Sequence, residues 1–278
     1  MITFPNPKLN LGLHILRKRP DGYHDLESLF IPWHGLHDVL EIVPAAAPEM
    51  HLYGLSLGEG GDGGDNLCMR AWQLLHECYG IPPVAIHLWT GIPAGAGLGG
   101  GSADAAFTLR MLSEMFGLGL SDELLALLAA RLGSDCAFFV YNRPMVASGR
   151  GEVLVSYEID VTKFRIEVVT PPVHVSTREA YAGVTPREAS SQTPPSYPAP
   201  TGLLPSLREA LARPLDEWRE VLVNDFEPSV FAAHPELARI KADLYARGAR
   251  YASLSGSGSA IFGLFYSDYS FFSRRPRS

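Results

Sequence analysis

A predicted strand and a predicted helix are joined by the stretch Pro93-Ala94-Gly95-Ala96-Gly97-Leu98-Gly99-Gly100-Gly101-Ser102-Ala103-Asp104-Ala105-Ala106, which contains five glycines. Because glycine lacks a Cβ atom, such a backbone can approach an anion closely, while the N–H groups at the start of the helix face it. Ser102 offers a hydroxyl to a phosphate or to a bound Mg²⁺. The stretch therefore predicts a phosphate-binding loop.

Other readings of this loop have different requirements. Gly95, Gly97 and Gly100 satisfy G-x-G-x-x-G, but a dinucleotide-binding dehydrogenase needs a second parallel strand after the helix, and a second helix is predicted there. A P-loop NTPase needs Lys followed by Ser or Thr within the loop, and a protein kinase needs H-R-D and D-F-G motifs; the chain has none of these. One further interpretation stays open: the glycines only permit tight packing of the helix on the sheet and bind nothing.

Apolar periodicity and capping residues predict a mixture of helices and strands in both halves of the chain. Helices are predicted at 66–79, 103–116, 121–132, 203–212, 215–224 and 235–247, and strands at 84–89, 164–169 and twice within 251–265. Because the elements do not alternate regularly, the pattern favours an α+β fold over a doubly wound sheet. Two domains are predicted, at 1–154 and 155–278, with a mobile surface connection at 185–200.

Composition excludes several classes of protein. The 278 residues are 46% hydrophobic and 19% charged, with a formal net charge of -7, so that no general nucleic-acid-binding surface is expected. Neither a signal peptide nor a membrane anchor is expected from residues 1–10, which lack a basic region followed by a long apolar run. Cys68, Cys78 and Cys136 lack the spacing of a zinc site or a disulfide scaffold. A cytoplasmic protein that binds neither membranes nor nucleic acid is predicted.

Three separated motifs resemble those of one kinase superfamily, named for galactokinase, homoserine kinase, mevalonate kinase and phosphomevalonate kinase. The first is Pro7-Lys8-Leu9-Asn10-Leu11, the second is the glycine-rich stretch, and the third is Leu254-Ser255-Gly256-Ser257-Gly258-Ser259. The resemblance implies a two-domain small-molecule kinase with an N-terminal ATP-binding domain and a C-terminal ferredoxin-like domain. It leaves open a truncation of the second domain after about residue 266, because Ser267 to Ser278 is a short, basic tail.

Within that superfamily the chain resembles the kinases that act on 4-diphosphocytidyl-2-C-methyl-D-erythritol. The resemblance is carried by Arg19-Pro20-Asp21-Gly22-Tyr23-His24, Asp65-Asn66-Leu67 and Gly133-Ser134-Asp135. It implies transfer of phosphate from ATP to the 2-hydroxyl of this diphosphocytidyl alcohol, in the non-mevalonate isoprenoid (terpenoid) pathway. Another small-alcohol kinase, such as a homoserine or mevalonate kinase, and a catalytically silent nucleotide-binding module are the alternatives.

The resemblance also implies roles for individual residues. Asp135 would accept the hydroxyl proton as general base, and Lys8 would orient the hydroxyl and offset negative charge. ATP would be bound by Asn66 and by the loop residues Pro93, Ala94, Gly95, Ala96, Gly97, Leu98, Gly99, Gly100, Gly101, Ser102 and Ala103. The alcohol would be bound by Asn10, Tyr23, His24, Tyr181, Ser257 and Gly258.

Without the resemblance, some of these residues could have purely structural roles. Asp135 and Asn66 both suit helix caps, and Tyr181 suits a buried core position. Mg²⁺ is expected to arrive with ATP, held by phosphates and water, with Ser102 as the one candidate protein ligand. A monomer or weak homodimer is expected.

Overall fold

The computed structural model describes residues 1–55, 66–187 and 206–267. The described strands are β1 (Ile2–Thr3), β2 (Lys8–Lys18), β3 (His24–Pro32), β4 (Val39–Pro44), β5 (Glu49–Gly54), β6 (Val84–Thr90), β7 (Met145–Gly149), β8 (Val153–Ser156), β9 (Phe164–Val169), β10 (Tyr251–Leu254) and β11 (Ile261–Tyr266). The described helices are α1 (Leu67–Tyr79), α2 (Gly100–Met115), α3 (Asp122–Ala130), α4 (Cys136–Tyr141), α5 (Thr177–Ala182), α6 (Leu207–Leu211), α7 (Trp218–Val221), α8 (Glu227–Ala233) and α9 (Pro235–Ala246). Short 3₁₀ turns lie at Val161–Lys163 and Leu215–Glu217.

The first sheet has the strand order β1-β4-β6-β5, in which only β5 and β6 run parallel. Helices α1 to α4 pack together, and their apolar faces form one core with the inner face of this sheet. The glycine-rich loop follows β6 and leads into α2. The loop is therefore held between the end of a buried strand and the start of a buried helix.

The second sheet is antiparallel, with the strand order β2-β3-β7-β8. Its longest strand, β2, contains a bulge at Gly12, where the pairing with β3 shifts register between Leu11 and Leu13. Gly12 has a φ of +67°, a left-handed conformation that glycine adopts without steric cost. The bulge changes which β2 side chains face the same side before and after it, because side chains alternate along a strand.

The third sheet has the order β10-β11-β9 and is covered by α9. A second core joins it to β2 and β3, and includes the fully buried Leu9 and Leu11 of β2. Burying one such side chain contributes about 1.5–3 kcal/mol. A third core packs the distal half of β2 against α5, α8 and α9. Strand β2 is thus packed by the second core before Gly12 and by the third core after it.

The mixture of helices and strands confirms the α+β prediction, and the predicted elements at 66–79, 84–89 and 164–169 are present. Helix α2 begins at Gly100, so the predicted start at Ala103 was three residues late. The short helices α4, α5 and α8 were not predicted. Of the predicted connection at 185–200, the part beyond residue 187 lies outside the described residues, as does the tail beyond residue 267.

The predicted domain division after residue 154 stays a prediction. Strand β8 spans that position and pairs with β7 of the second sheet. In the part of the chain that the structure describes, no helix is both long and apolar enough to cross a membrane.

Candidate active site

A cleft of about 1180 Å³ lies between β2, the glycine-rich loop and α5. Residues from all three motifs line it, although these motifs are far apart in the sequence. The predicted site residues in its lining are Lys8, Asn10, Tyr23, His24, Gly95, Gly97, Gly99, Asp135, Tyr181 and Ser257. The fold therefore brings most of the predicted catalytic and substrate-binding residues into one cavity.

Lys8 and Asp135 face each other in this cleft. Lys8 Nζ lies 3.6 Å from Asp135 Oδ2 and donates a hydrogen bond to Asn10 Oδ1. The Asn10 amide in turn donates to Ser28 Oγ at 3.0 Å, and Ser28 Oγ donates to the Gly12 carbonyl at 2.6 Å. This chain of bonds runs along β2 and β3, so the orientation of the lysine head group is set by rigid strands.

Burial dominates the electrostatics of Lys8. The residue is 3% exposed, and loss of solvation lowers the pKa of its ammonium group, while the Asp135 carboxylate opposes that shift. Nζ also lies 4.9 Å from the centroid of the Phe30 ring, which favours a cation. The lysine head group is thus desolvated, and the carboxylate paired with it is that of Asp135.

Asp135 occupies the N-cap position of α4, but its side chain makes no capping hydrogen bond. Its carboxylate is 31% exposed and opens into the cleft. Gly151 passes close by with a φ of +115°, and a Cβ there would lie 3.4 Å from Asp135 Oδ1. The carboxylate is therefore available to Lys8 and to a group bound in the cleft: Asp135 occupies the helix-cap position that its sequence context suits, but its side chain does not cap the helix.

The glycine-rich loop is docked on the third motif. Gly97 has a φ of +76°, and a Cβ there would lie 2.0 Å from the Ser255 carbonyl oxygen, so only glycine fits. Ser255 Oγ donates to the Gly97 carbonyl at 3.0 Å, and the Lys8 N–H donates to the Leu98 carbonyl at 2.9 Å. Ala96, which lies between Gly95 and Gly97, does not have the positive φ of these two neighbours, so its side chain causes no backbone strain. The loop is thus held against both Lys8 and the 255–259 turn.

The start of α2 suits an anion. Its N-cap, Gly99, is left-handed and has no side chain with which to cap the first N–H groups of the helix. Those N–H groups and the positive end of the helix dipole therefore remain available to a negatively charged ligand. The arrangement fits the predicted role of the loop in phosphate binding.

Of the twelve predicted nucleotide-binding residues, Gly95, Gly97 and Gly99 line the cleft, and the other nine, including Asn66 and Ser102, lie outside its lining. Asn66 Oδ1 accepts a hydrogen bond from the Cys68 N–H at 2.8 Å, so Asn66 caps α1 and the helix-cap interpretation is confirmed. Its contact with the nucleotide stays a prediction, although the adjoining Leu67 lies beside Gly101 of the loop. Ser102 is at the start of α2 and lies beside Gly133. Among the described residues there is no cluster of three or more His, Cys, Asp or Glu able to hold a metal.

A buried pair of acids lies beneath this loop and was not predicted. Asp38 Oδ1 accepts hydrogen bonds from the Gly91 and Ile92 N–H groups at 2.6 and 2.7 Å. Asp104, which is 3% exposed, has its pKa raised well above the usual range by burial and by the charge of Asp38. Asp104 lies beside Asp38, and the pair joins the first turns of α2 to the chain just after β6.

An aromatic cluster occupies the other end of the cleft. The Tyr181 ring stacks on His24 at 4.9 Å between centroids and meets the edge of Phe226 at 4.8 Å. Tyr23 is 56% exposed, and the guanidinium of Arg150 lies 4.9 Å from its ring centroid. The pKa of His24 is lowered by burial and by Lys18, which favours a neutral imidazole with one donor and one acceptor nitrogen.

Tyr181 is half-buried, and burial, with a further contribution from the charge of Asp135, raises the pKa of its hydroxyl to about 12. The tyrosine therefore stays protonated at neutral pH. Its ring covers His24 in this structure, so a base that is to stack on Tyr181 must share or displace that contact.

Four basic residues of the cleft were missed by reasoning from sequence: Arg17, Lys18, Arg150 and Arg178. Arg17 pairs with Asp25, and Arg150 lies 3.7 Å from Glu152. The sequence did contain a signal for Arg17 and Lys18, because the run of basic residues at 17–19 lies just before the predicted Tyr23-His24 motif. These cations make the cleft suitable for an anionic ligand despite the negative net charge of the chain.

Comparisons with known proteins agree with this geometry. Residues 66–143 match the family described as GHMP kinases N terminal domain, and residues 204–270 match GHMP kinases C terminal. A 4-diphosphocytidyl-2-C-methyl-D-erythritol kinase of Bacteroides thetaiotaomicron is 48% identical, with 95% of this chain and 92% of that protein covered.

Solved structures extend the likeness. A crystal structure of 4-(cytidine 5'-diphospho)-2C-methyl-D-erythritol kinase has a TM-score of 0.72 and 35% identity, with 95% of this chain and 90% of that chain covered. The mevalonate kinase of Methanococcus jannaschii shares the fold, with a TM-score of 0.67 at 15% identity over 98% of this chain and 92% of that chain. The chain therefore belongs to the 4-diphosphocytidyl-2-C-methyl-D-erythritol kinase family of the GHMP kinases.

Proposed function

We propose that the protein transfers the γ-phosphoryl group of ATP to the 2-hydroxyl of 4-diphosphocytidyl-2-C-methyl-D-erythritol, giving the 2-phosphate and ADP in non-mevalonate isoprenoid biosynthesis. The observation that carries the proposal is the Lys8–Asp135 pair, which faces a cleft bounded by an uncapped, glycine-rich helix start. Family membership supplies the identity of the acceptor.

Phosphoryl transfer requires an aligned acceptor and a positive environment for the charge that spreads over the phosphate oxygens. Asp135 is the general base that takes the hydroxyl proton, because its carboxylate opens into the cleft. Lys8 holds the acceptor oxygen through one N–H and offsets negative charge through its buried cation. Asn10 fixes the lysine head group by its hydrogen bond.

The loop 93–103 binds the phosphates of ATP through its backbone N–H groups, and Asn66 contacts the nucleoside. ATP supplies the phosphoryl group, and a bound Mg²⁺ would neutralise part of its phosphate charge. Support for this role comes from the uncapped first turn of α2 and from the close docking of Gly97 on Ser255. Ser102 is the candidate protein ligand for the metal, which would otherwise be held by phosphate oxygens and water.

The diphosphocytidyl part of the alcohol binds at the aromatic end of the cleft. Tyr23 and Tyr181 offer faces on which cytosine stacks, and neutral His24 offers a donor and an acceptor for the edge of the base. The basic residues of the cleft offset the diphosphate charge. Ser257 lines the cleft on the acceptor side, and Gly258, which follows it outside the lining, is the remaining residue proposed to bind the alcohol.

The remaining features of the proposal concern the molecule as a whole. We expect an ATP-binding domain at 1–154 and a substrate-side domain at 155–278, a cytoplasmic location, and a monomer or weak homodimer. We expect no binding to nucleic acid, because the net charge is -7.

The test is Mg²⁺-dependent release of ADP by the purified protein in the presence of 4-diphosphocytidyl-2-C-methyl-D-erythritol. Mevalonate, homoserine and a mixture without acceptor are run in parallel. Turnover with the diphosphocytidyl alcohol alone is expected. Turnover with mevalonate or homoserine instead would reassign the acceptor, and bound ATP without turnover on any alcohol would favour a silent nucleotide-binding module.

A further inference from the structure

The segment Asn224-Asp225-Phe226-Glu227 connects α7 to α8 and was given no role by sequence or by family comparison. The side chains of Asn224 and Glu227 both bind residues 253–256. The Asp225 carboxylate accepts a hydrogen bond from the Ile15 N–H of β2 at 2.8 Å, and the Phe226 ring packs against Tyr181. The backbone of the segment also joins β2: the Leu13 N–H donates to the Val223 carbonyl and the Asp225 N–H donates to the Leu13 carbonyl, both at 2.9 Å. The segment is therefore built into the strand that carries Lys8.

Asn224 makes the most specific contacts of the four. It is 2% exposed, and its Nδ2 donates to the carbonyls of Leu254 and Gly256, both at 2.9 Å. Its Oδ1 accepts from the Phe226 N–H at 3.0 Å, which orients the amide. Both N–H groups of this buried amide therefore donate to backbone carbonyls at the start of the third motif.

Glu227 holds the strand that enters the same turn. Its Oε1 accepts from the Leu254 N–H at 2.9 Å and from Ser253 Oγ at 3.1 Å, and its Oε2 receives the Lys241 ammonium at 2.6 Å. Asn224 and Glu227 together therefore fix residues 253–256 from one side.

From the other side, this turn touches both parts of the proposed catalytic apparatus. A Cβ on Gly256 would lie 3.5 Å from Lys8 Nζ. Ser255 Oγ donates to the Gly97 carbonyl, and the Ser255 carbonyl oxygen sits directly against Gly97. Any shift of the 255–259 turn must therefore move either the phosphate-binding loop or the space around the lysine head group.

We propose that Asn224 is a positioning residue for phosphoryl transfer, which acts through the Leu254 and Gly256 carbonyls to set the 255–259 turn against Lys8 and Gly97. The proposal rests on the proposed function, because its kinetic consequence is defined for that reaction. Asn224 itself does not line the cleft. Asn224 therefore affects how ATP and the alcohol are aligned for phosphoryl transfer, and this alignment determines kcat. It does not affect the affinity for either substrate.

The test uses Asn224→Asp, which keeps the shape of the side chain and the acceptor for the Phe226 N–H but removes both donors. The control is Tyr245→Phe, because the Tyr245 hydroxyl also makes two hydrogen bonds to this hairpin, with the N–H and carbonyl of Ala252, away from the turn. We expect kcat to fall about 10- to 100-fold in Asn224→Asp, because misplacement of reacting groups by about 1 Å has effects of that order. In Tyr245→Phe we expect kcat within about two-fold of the unmodified enzyme.

The KM values for ATP and the alcohol should stay within about three-fold in Asn224→Asp, since no substrate contact is removed. If the folded Asn224→Asp variant turns over as fast as Tyr245→Phe, or loses activity only through KM, the proposal is overturned. If Asn224→Asp does not fold, Ser255→Ala decides, since it removes the hydrogen bond from the turn to Gly97 and should likewise lower kcat.

Amide hydrogen exchange provides a readout that does not depend on turnover. Exchange across 253–260 and 95–99 should accelerate in Asn224→Asp and remain unchanged at 95–99 in Tyr245→Phe. If the unmodified protein fails to phosphorylate the alcohol, the proposed function fails. Exchange still decides whether Asn224 holds the turn, and unchanged exchange in Asn224→Asp would refute that role.

Discussion

Asp135→Asn is the substitution that tests the proposed chemistry most directly. The change keeps the size of the side chain at the start of α4, where Asp135 makes no capping hydrogen bond that the fold would miss. It removes the proton acceptor from the cleft and the negative charge that lies 3.6 Å from Lys8 Nζ. The expected result is therefore a folded protein that binds both substrates and turns over slowly.

The magnitude has two parts. General-base catalysis contributes about 100- to 10,000-fold, so kcat should fall by that factor, or about 3–5.5 kcal/mol in the activation barrier. Opposite unit charges 3.6 Å apart attract by about 1 kcal/mol at the dielectric constant of water and about 5 kcal/mol at an effective value of about 20. Loss of this attraction lowers the pKa of Lys8, so any residual activity should decline at a lower pH as the solution is made alkaline.

The assay is steady-state ADP release over a range of pH, with ATP and the alcohol varied separately. Asp122→Asn on α3 is the matched control, because Asp122 pairs with Arg110 at 3.2 Å on an exposed surface outside the cleft. Its kcat should be unchanged. Retention of more than about a tenth of the original kcat by Asp135→Asn would remove Asp135 from the role of base.

Three further substitutions probe the loop, the aromatic cluster and a buried histidine. Gly97→Ala places a Cβ 2.0 Å from the Ser255 carbonyl oxygen at a position with a φ of +76°, so kcat and the thermal midpoint should both fall. Gly117→Ala is the control, because Gly117 has a similar φ of +60° but nothing lies within 4 Å of a Cβ there. Equal losses in the two variants would contradict the clash. Tyr23→Ala should raise the KM for the alcohol about 5- to 150-fold, since stacking of a base contributes about 1–3 kcal/mol, and an unchanged KM would exclude stacking there. Burial lowers the pKa of His14 from 6.5 to about 4, so the unfolded chain binds more protons between those pH values. The free energy of unfolding, measured with denaturant, should therefore fall by up to about 3 kcal/mol as the pH drops from 6.5 to 4, and His14→Gln should flatten that dependence.

Local sequence signals accounted for the elements whose ends are set by nearby residues. Helix α1 was predicted from its apolar period, and the structure shows Asn66 capping its start and Gly80 ending it in a left-handed conformation. The start of α2 was missed because glycine is a poor helix former, and tertiary packing overrides that propensity. Gly100 lies so close to Ile92 that a Cβ there would be only 3.0 Å from its side chain.

By itself the sequence determined which chemical groups are present and which short segments carry them: the glycine-rich stretch, Lys8 on an apolar strand, Asp135 before a helix, and the Tyr23-His24 pair. These follow from patterns within a few residues, where backbone preference and side-chain period act.

Only the tertiary structure decided which of these groups meet. The bulge at Gly12 changes the phase of β2, so that Lys8, Asn10 and Leu13 all line one cleft, whereas strict alternation would place Leu13 on the opposite face. The hold of Asn224 on the third motif is likewise invisible in the sequence, because it joins backbone carbonyls about 30 residues away. Such contacts depend on how two separate cores pack around β2, and that packing is a property of the whole chain.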